Sequence, residues 1–329
     1  MSGPRVVVVG AGLMGRWHAD AARHAGAQIV AIVDRDLSRA QALAGTGAMA
    51  FSSLDAALAT NPEVAHICTA LDSHTTLARS ALAAGCHLIV EKPVTPDAGE
   101  AEALLASARL AGRELVPVHQ FRFQDGVQEI LARRAALGPI RQIEFATCSA
   151  GADSDRAGER DQIAAEIAPH AFSLARAILG NAVGELPWHL ERAAAGEWRF
   201  STTTDQGCTI SGMISLSARP TFATCRVFGE GGSALADLFQ GYATFEPGTA
   251  SRNYKVLRPL AVSLGTAAAS ATQLATRAWH GERAYPGLRA LCAASYRAFS
   301  TNGPAPFAAD ELVDVARARD RLIALAASH

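Results

Sequence analysis

Four valines run straight into Gly10-Ala11-Gly12-Leu13-Met14-Gly15, and a helical pattern begins at once. This feature limits the possible folds more than any other in the chain. Glycines at that spacing permit a tight turn out of a strand, approach of a pyrophosphate to bare backbone N–H groups, and close packing of helix on strand. The motif alone is weak evidence; here the required strand precedes it and the helix follows. Asp34 ends the next apolar run 19 residues after Gly15, where a carboxylate can accept both hydroxyls of an adenosine ribose. Gly10, Gly12, Leu13, Met14 and Gly15 are therefore expected to hold a dinucleotide. Asp34 favours NAD, since its charge repels a 2′-phosphate, while Arg35 and Arg39 soften that preference and leave NADP open.

Beyond the turn, short apolar runs alternate with helical patterns. Val6 to Val9, Ile29 to Val33, Val64 to Thr69, His87 to Val90 and Glu114 to Val118 have the continuous apolar character of buried parallel strands. Helical patterns near 13–25, 37–44, 52–59, 74–85 and 97–111 separate them, the rhythm of a doubly wound sheet. After residue 121 the pattern changes. Ile143 to Thr147, Trp198 to Thr203, Cys208 to Leu216, Thr221 to Phe228, Ser233 to Leu238 and Ala243 to Phe245 read as strands between Gly, Pro and Asp-Gln-Gly turns. The expected fold is α/β: a Rossmann doubly wound parallel sheet over 1–120, then an α+β domain over 121–329. The second domain should carry a large open, mostly antiparallel sheet with helices on one face.

A chain of 329 residues is long enough for two such domains. Thirty basic residues against 31 acidic ones, with no basic block, argue against nucleic acid or an anionic membrane as partner. Val6 to Val9 is far too short for a signal segment or a span of about 20 residues, so a cytoplasmic location is expected. The six cysteines form no CxxC pair; buried thiols are expected rather than disulfides or a metal site. Only Lys92 and Lys255 among the basic residues are lysines. A lysine retained against an arginine background is of interest because it can be deprotonated and arginine effectively cannot.

Lys92 leaves the strand Leu88-Ile89-Val90 in the triplet Glu91-Lys92-Pro93. Pro93 confines Lys92 to extended geometry and aims it into the crevice at the carboxyl ends of the strands. Thr69, Ala70, Leu71 and His74 leave a neighbouring strand and are expected beside the nicotinamide half of the cofactor. Asp72 and Ser73 fit equally well as helix caps.

These motifs, with Val118-His119-Gln120-Phe121-Arg122-Phe123, resemble the Gfo/Idh/MocA oxidoreductases, the family of glucose–fructose oxidoreductase and inositol dehydrogenase. The likeness runs on through Gly138-Pro139-Ile140, Gly229 to Ser233 and Ala308 to Ala326, nearly the whole chain. It implies a C-terminal sheet that covers the cofactor on one face and pairs with another subunit on the other, hence a homodimer or homotetramer. It adds Glu91, Gln120 and Arg122, besides Lys92, to the cofactor contacts. By position it implies a catalytic group of Lys92, Glu166 and His170, with Glu166 standing where the family has aspartate. Four residues apart on a helix, Glu166 and His170 would share a face; if Pro169 begins the helix, Glu166 falls on the incoming loop. Ser173 stands where many relatives have a second acid, and Arg160-Asp161-Gln162 replaces their glycine run. Ala261 to Trp279 is expected to be helical. The loop Gly151 to Arg160 and the approach to Tyr285-Pro286-Gly287 are alternative walls for a substrate pocket.

The implied reaction is reversible hydride transfer between nicotinamide C4 and a secondary alcohol or ketone carbon of a sugar, cyclitol or related small polar substrate. His170 would accept the hydroxyl proton, Lys92 would donate a hydrogen bond to the same oxygen, and Glu166 would orient or relay. Imine reduction, which suits the acid missing at Ser173, and NAD-assisted net non-redox chemistry are the enzymatic alternatives. A cofactor-binding scaffold or sensor is the non-enzymatic one.

Overall fold

The computed structural model describes residues 3–149, 157–248, 251–301, 303 and 305–328; most of the 151–160 loop lies outside them. The chain forms two compact units, Met1–Val118 with Leu288–Ala316, and His119–Gly287 with Arg317–His329. A single cut at residue 120 would place Leu288–Ala316 in the second unit, but it packs with the first.

The first unit is built on β1 (Arg5–Val9), β2 (Gln28–Val33), β3 (Met49–Phe51), β4 (Val64–Ile67), β5 (His87–Val90) and β6 (Leu115–Pro117). All pair parallel in the order β3-β2-β1-β4-β5-β6. The order reverses between β1 and β4, the switch point at which doubly wound sheets bind ligands. Helices α1 (Leu13–His24), α2 (Leu37–Ala44), α3 (Leu54–Leu58), α4 (Leu71–Ala83) and α5 (Ala98–Leu110) connect the strands. Val7, Val9, Ala31, Val33, Ala65, Ile67, Leu88 and Val90 lie in one buried core with Leu104 and Ala108 of α5. Burying each of the larger side chains contributes about 1.5–3 kcal/mol, which is why uninterrupted apolar runs mark these strands. The sequence pattern misses β3, a strand of three residues, none of them buried. It also starts α4 three residues late, because the exposed Asp72 in its first turn gives no periodic signal.

In the second unit, β7 (Ile140–Cys148), β8 (His189–Ala194), β9 (Glu197–Thr203), β10 (Thr209–Ser215), β11 (Phe222–Gly229), β12 (Gly232–Asp237) and β13 (Tyr242–Pro247) form one sheet ordered β13-β12-β11-β7-β10-β9-β8. Only β7 and β10 pair parallel; the remaining pairs are antiparallel. Period-two burial puts Trp198, Phe200, Ile210, Ile214, Cys225 and Val227 inside. Helices α6 (Asp125–Ala132), α7 (Ala157–Ile167) and α8 (Pro169–Leu179) pack on this sheet. The long α9 (Arg252–Trp279) lies against β13 and extends the helix expected over 261–279. Helices α10 (Leu288–Thr301), part of the first unit, and α11 (Glu311–Ala327) follow in the chain. All six cysteines are free and buried. Among the described residues no helix is long and apolar enough to cross a membrane.

Candidate functional site

Helix capping singles out one end of the first unit. Asp36, Ser53 and Asp97 cap α2, α3 and α5 through their side chains. By contrast α1 begins at Gly12 and α4 at Ala70, neither with a side-chain cap. Asp72 and Ser73, read as possible caps, lie inside α4, and the Ser73 hydroxyl donates to the Ala70 carbonyl. The uncapped helices follow β1 and β4, so their orphan N–H groups flank the switch point. Such donors, with the positive end of the helix dipole, are suited to a phosphate.

The three glycines divide their tasks as the motif requires. Gly10 has φ +100°, and a Cβ there would stand 2.6 Å from the Cys68 carbonyl oxygen. A Cβ on Gly15 would stand 1.7 Å from the Gly10 carbonyl oxygen, so only glycine lets α1 pack this close to the turn. A Cβ on Gly12 would meet no atom within 4 Å; no protein contact accounts for glycine there, whereas a pyrophosphate approaching the backbone would. Leu13 is exposed on the first turn of α1. The Asp34 carboxylate accepts from the Ala11 N–H at 2.8 Å and the Asp36 N–H at 2.9 Å, which ties it to the glycine turn. Arg35 is exposed, and Arg39 lies 3.5 Å from Asp36. A glycine turn held to a carboxylate at the end of the next strand is an arrangement that fits an adenine dinucleotide.

Glu91-Lys92-Pro93 leaves β5 with Glu91 buried and Lys92 half-buried, and the Lys92–Pro93 bond is cis. His74 is also buried. Its ring nitrogens lie 2.9 Å from the Pro93 carbonyl and 3.0 Å from the Thr69 carbonyl, so it braces the lysine loop against the exit of β4. Glu91 belongs to a polar chain that sequence reasoning missed. His18 Nε2 meets Glu91 Oε1 at 3.1 Å, His18 Nδ1 meets His66 Nδ1 at 2.9 Å, and His66 Nε2 meets the Tyr296 hydroxyl at 2.7 Å. The Lys92 N–H donates to Glu91 Oε2 at 3.1 Å. Burial pushes the Glu91 carboxyl up, but the interaction with His18, chiefly its hydrogen bond, and the nearby Lys92 outweigh burial and hold it below its ordinary value. Burial pushes His66 well below the usual imidazole value. A histidine inside the apolar run Val64-Ala65-His66-Ile67 was the available clue, because a buried ring needs partners.

In the second unit Pro169 is the first residue of α8, and Glu166 lies in the last turn of α7. Glu166 and His170 therefore share no single helix, and Glu166 is not on a loop. Ala168, between the helices, keeps right-handed helical angles (φ −52°, ψ −36°); proline interrupts the hydrogen-bond ladder because it has no N–H. Glu166 accepts from the Gln162 amide at 3.1 Å, and the His170 ring stacks on Phe121 at 4.3 Å. Ser173 is buried on α8. Gln120 and Arg122 lie in one turn of 3-10 helix, where Gln120 is buried and Arg122 half-buried. Asp161, part of the triplet that departs from the family pattern, braces α7 to the β8–β9 hairpin. It accepts from Arg192 at 2.8 and 2.9 Å, from the Gly196 N–H at 2.9 Å and from Trp198 Nε1 at 2.9 Å. Burial opposes its ionisation, but these donors outweigh burial and hold its carboxyl below the usual range.

Residues 4–119 match a family model described as the oxidoreductase family with an NAD-binding Rossmann fold, GFO_IDH_MocA. The UDP-N-acetylglucosamine 3-dehydrogenase of Acidithiobacillus ferrooxidans is 35% identical over 142 residues, 43% of this chain and 44% of that protein. The inositol 2-dehydrogenase of an Arthrobacter species is 36% identical over 142 residues, 41% of this chain and 40% of that one. The chain thus spans less than half the length of these two curated relatives. The solved WlbA dehydrogenase of Bordetella pertussis, in complex with NADH and UDP-GlcNAcA, superposes with a TM-score of 0.78 at 16% identity, over 99% of this chain and 96% of that one. That likeness shows the fold alone.

Proposed function

We propose that this chain, whose residues 4–119 match the Gfo/Idh/MocA family model, is a member of that family and an NAD-dependent dehydrogenase of a sugar, cyclitol or related small polar substrate. The uncapped α1 and α4 at the switch point, with open space at Gly12, carry this reading. Bound NAD supplies the hydride acceptor, or the donor in reverse. Gly10, Gly12, Leu13, Met14 and Gly15 hold the dinucleotide through the turn, and Asp34 holds the ribose. Thr69, Ala70, Leu71, Glu91, Gln120 and Arg122 are assigned as further contacts. His74 acts indirectly, by holding the loop that carries Lys92.

The catalytic assignment keeps Lys92 as donor to the reacting oxygen, His170 as acceptor of its proton and Glu166 as the group that orients or relays. Acid–base help of this kind is worth about 10² to 10⁴ in rate. The relatives' names, an inositol dehydrogenase and a nucleotide-sugar dehydrogenase, support a cyclic polyol as substrate. Incubation with NAD and a panel of cyclitols, sugars and nucleotide sugars should form NADH and a product two hydrogens lighter. NADH binding without turnover of any panel member in either direction would favour the scaffold reading. We also propose a homodimer or homotetramer. The exposed Leu257, Leu260, Leu264 and Trp279 of α9 support it, because contiguous apolar surface usually marks an interface; light scattering measures it.

A further inference from the structure

We propose that Tyr296, His66 and His18 are positioning residues for Glu91: three donors in series that end on its carboxylate and keep it charged and fixed beside Lys92. The four side chains lie in the first unit and are nearly inaccessible: His18 and His66 are 0% exposed, Tyr296 5% and Glu91 6%. Four polar groups in an apolar core survive only if each donor and acceptor is matched.

The direction of the chain follows from what each group can do. An ionised carboxylate accepts only, so His18 Nε2 donates to Glu91. One proton lies between the two Nδ1 atoms, 2.9 Å apart; in the proposed chain it sits on His66, so that His66 Nδ1 donates, His18 Nδ1 accepts and His18 carries no charge. His66 is neutral too, so its Nε2 accepts and the Tyr296 hydroxyl donates. Every proton is used and one charge, that of Glu91, remains. In the opposite direction His66 Nε2 would donate to Tyr296, and the phenolic proton would be buried among described residues that offer it no acceptor. A buried donor left unsatisfied disfavours that arrangement.

The surrounding groups do not compete. Cys68 and Cys292 also face Glu91, and burial, then the carboxylate's charge, pushes both thiols up, so they stay protonated. Burial pushes the Tyr296 phenol well up as well, which keeps it a donor. Among the described residues Lys92 also acts on Glu91, through its backbone N–H and its charge. The chain thus links α10, late in the sequence, to the lysine loop. Its consequence for catalysis rests on the role proposed for Lys92; its existence does not.

Side-chain nitrogen NMR of 15N-histidine protein, assigned with His18→Gln and His66→Phe, reads the chain directly. The proton should sit on Nε2 of His18 and on Nδ1 of His66, and Tyr296→Phe should release His66 from that single tautomer. With 13C-carboxyl glutamate, Glu91 should protonate about one pH unit higher in Tyr296→Phe and His18→Gln than in the unaltered protein. With a turnover substrate, the acid limb of kcat should move up by the same unit, lowering rate about tenfold on that limb, with NADH affinity within about twofold. A proton on Nδ1 of His18, or a Glu91 titration unmoved by both variants, would overturn the proposal. So would a lowered Tm with an unmoved acid limb, which means packing alone. If no substrate turns over, the two NMR readouts still decide the chain, and the failure belongs to the catalytic reading.

Discussion

The two units use polar chemistry for opposite ends. At the switch point of the first, polar capacity is left open: α1 and α4 have no side-chain caps, and Gly12 borders space. At the α7–hairpin junction of the second, capacity is closed, since both Asp161 oxygens are taken by Arg192, Gly196 and Trp198. Open groups sacrifice local stability for a ligand, whereas closed ones hold a scaffold. The contrast predicts that substitutions at the first place change function with little effect on stability, and substitutions at the second do the reverse.

The sharpest test lies at Lys92. Lys92→Ala and Lys92→Arg should each lower kcat by about 10² or more while NAD affinity changes by less than about tenfold. Arginine keeps the charge, but its planar guanidinium cannot occupy the point of a compact ammonium or exchange a proton near pH 7. Near-normal turnover of Lys92→Arg would remove Lys92 from the catalytic group. A large loss of NAD binding would make it a cofactor ligand.

Asp161 tests the other side. Asp161→Asn puts an amide donor among donors and should cost about 1–3 kcal/mol of stability at pH 7, with NADH affinity unchanged within about twofold. Because the folded carboxyl titrates below its unfolded value of about 3.9, its bonds contribute fully above that pH and are lost as pH falls through the folded value. The Tm difference between the two proteins should therefore close below about pH 4. A difference that persists there would mean the charge is not what braces the hairpin.

Gly12 offers a smaller effect but a cleaner separation. A methyl group there meets nothing in the protein, so Gly12→Ala should leave Tm within a degree or two and weaken NADH about ten- to a hundredfold in calorimetry. Gly15→Ala, whose Cβ would collide with the Gly10 carbonyl, should destabilise by about 1–3 kcal/mol. Equal loss of stability in both would erase the distinction between a glycine kept for a ligand and one kept for packing.

What could be read from the sequence divides along similar lines. Strands buried on both faces announce themselves as apolar runs, so β1, β2, β4 and β5 were legible, as were the glycines whose spacing has a chemical purpose. Strand β8 was not: in His189-Leu190-Glu191-Arg192-Ala193-Ala194 only Leu190 is buried, and the strand lies at the sheet edge. The α7–α8 junction was ambiguous because Pro169 stops the ladder without taking Ala168 out of helical angles. The partners of His66 were beyond reach for a different reason: a histidine in an apolar run signals that partners are needed, but residues 18, 66 and 296 meet only after the sheet is wound and α10 has returned to it.

Asp34 carries the smallest expected effect and the finest distinction. Its two oxygens are fixed by the Ala11 and Asp36 N–H groups, so it serves the turn, and in the proposed reading it serves the ribose as well. Asp34→Ala should therefore weaken NADH, by less than about tenfold, through loss of ribose bonds and a looser turn. NADPH, which gains from removal of the repelling charge, should weaken less or improve, and the gap between the cofactors should narrow. Asp34→Asn separates the causes: its oxygen can still accept from Ala11, but the charge is gone. If repulsion governs the choice, both variants should narrow the gap. If only Asp34→Ala does, the selectivity belongs to the geometry of the turn. Tighter binding of NADPH than NADH by the unaltered protein would transfer the choice to Arg35 and Arg39.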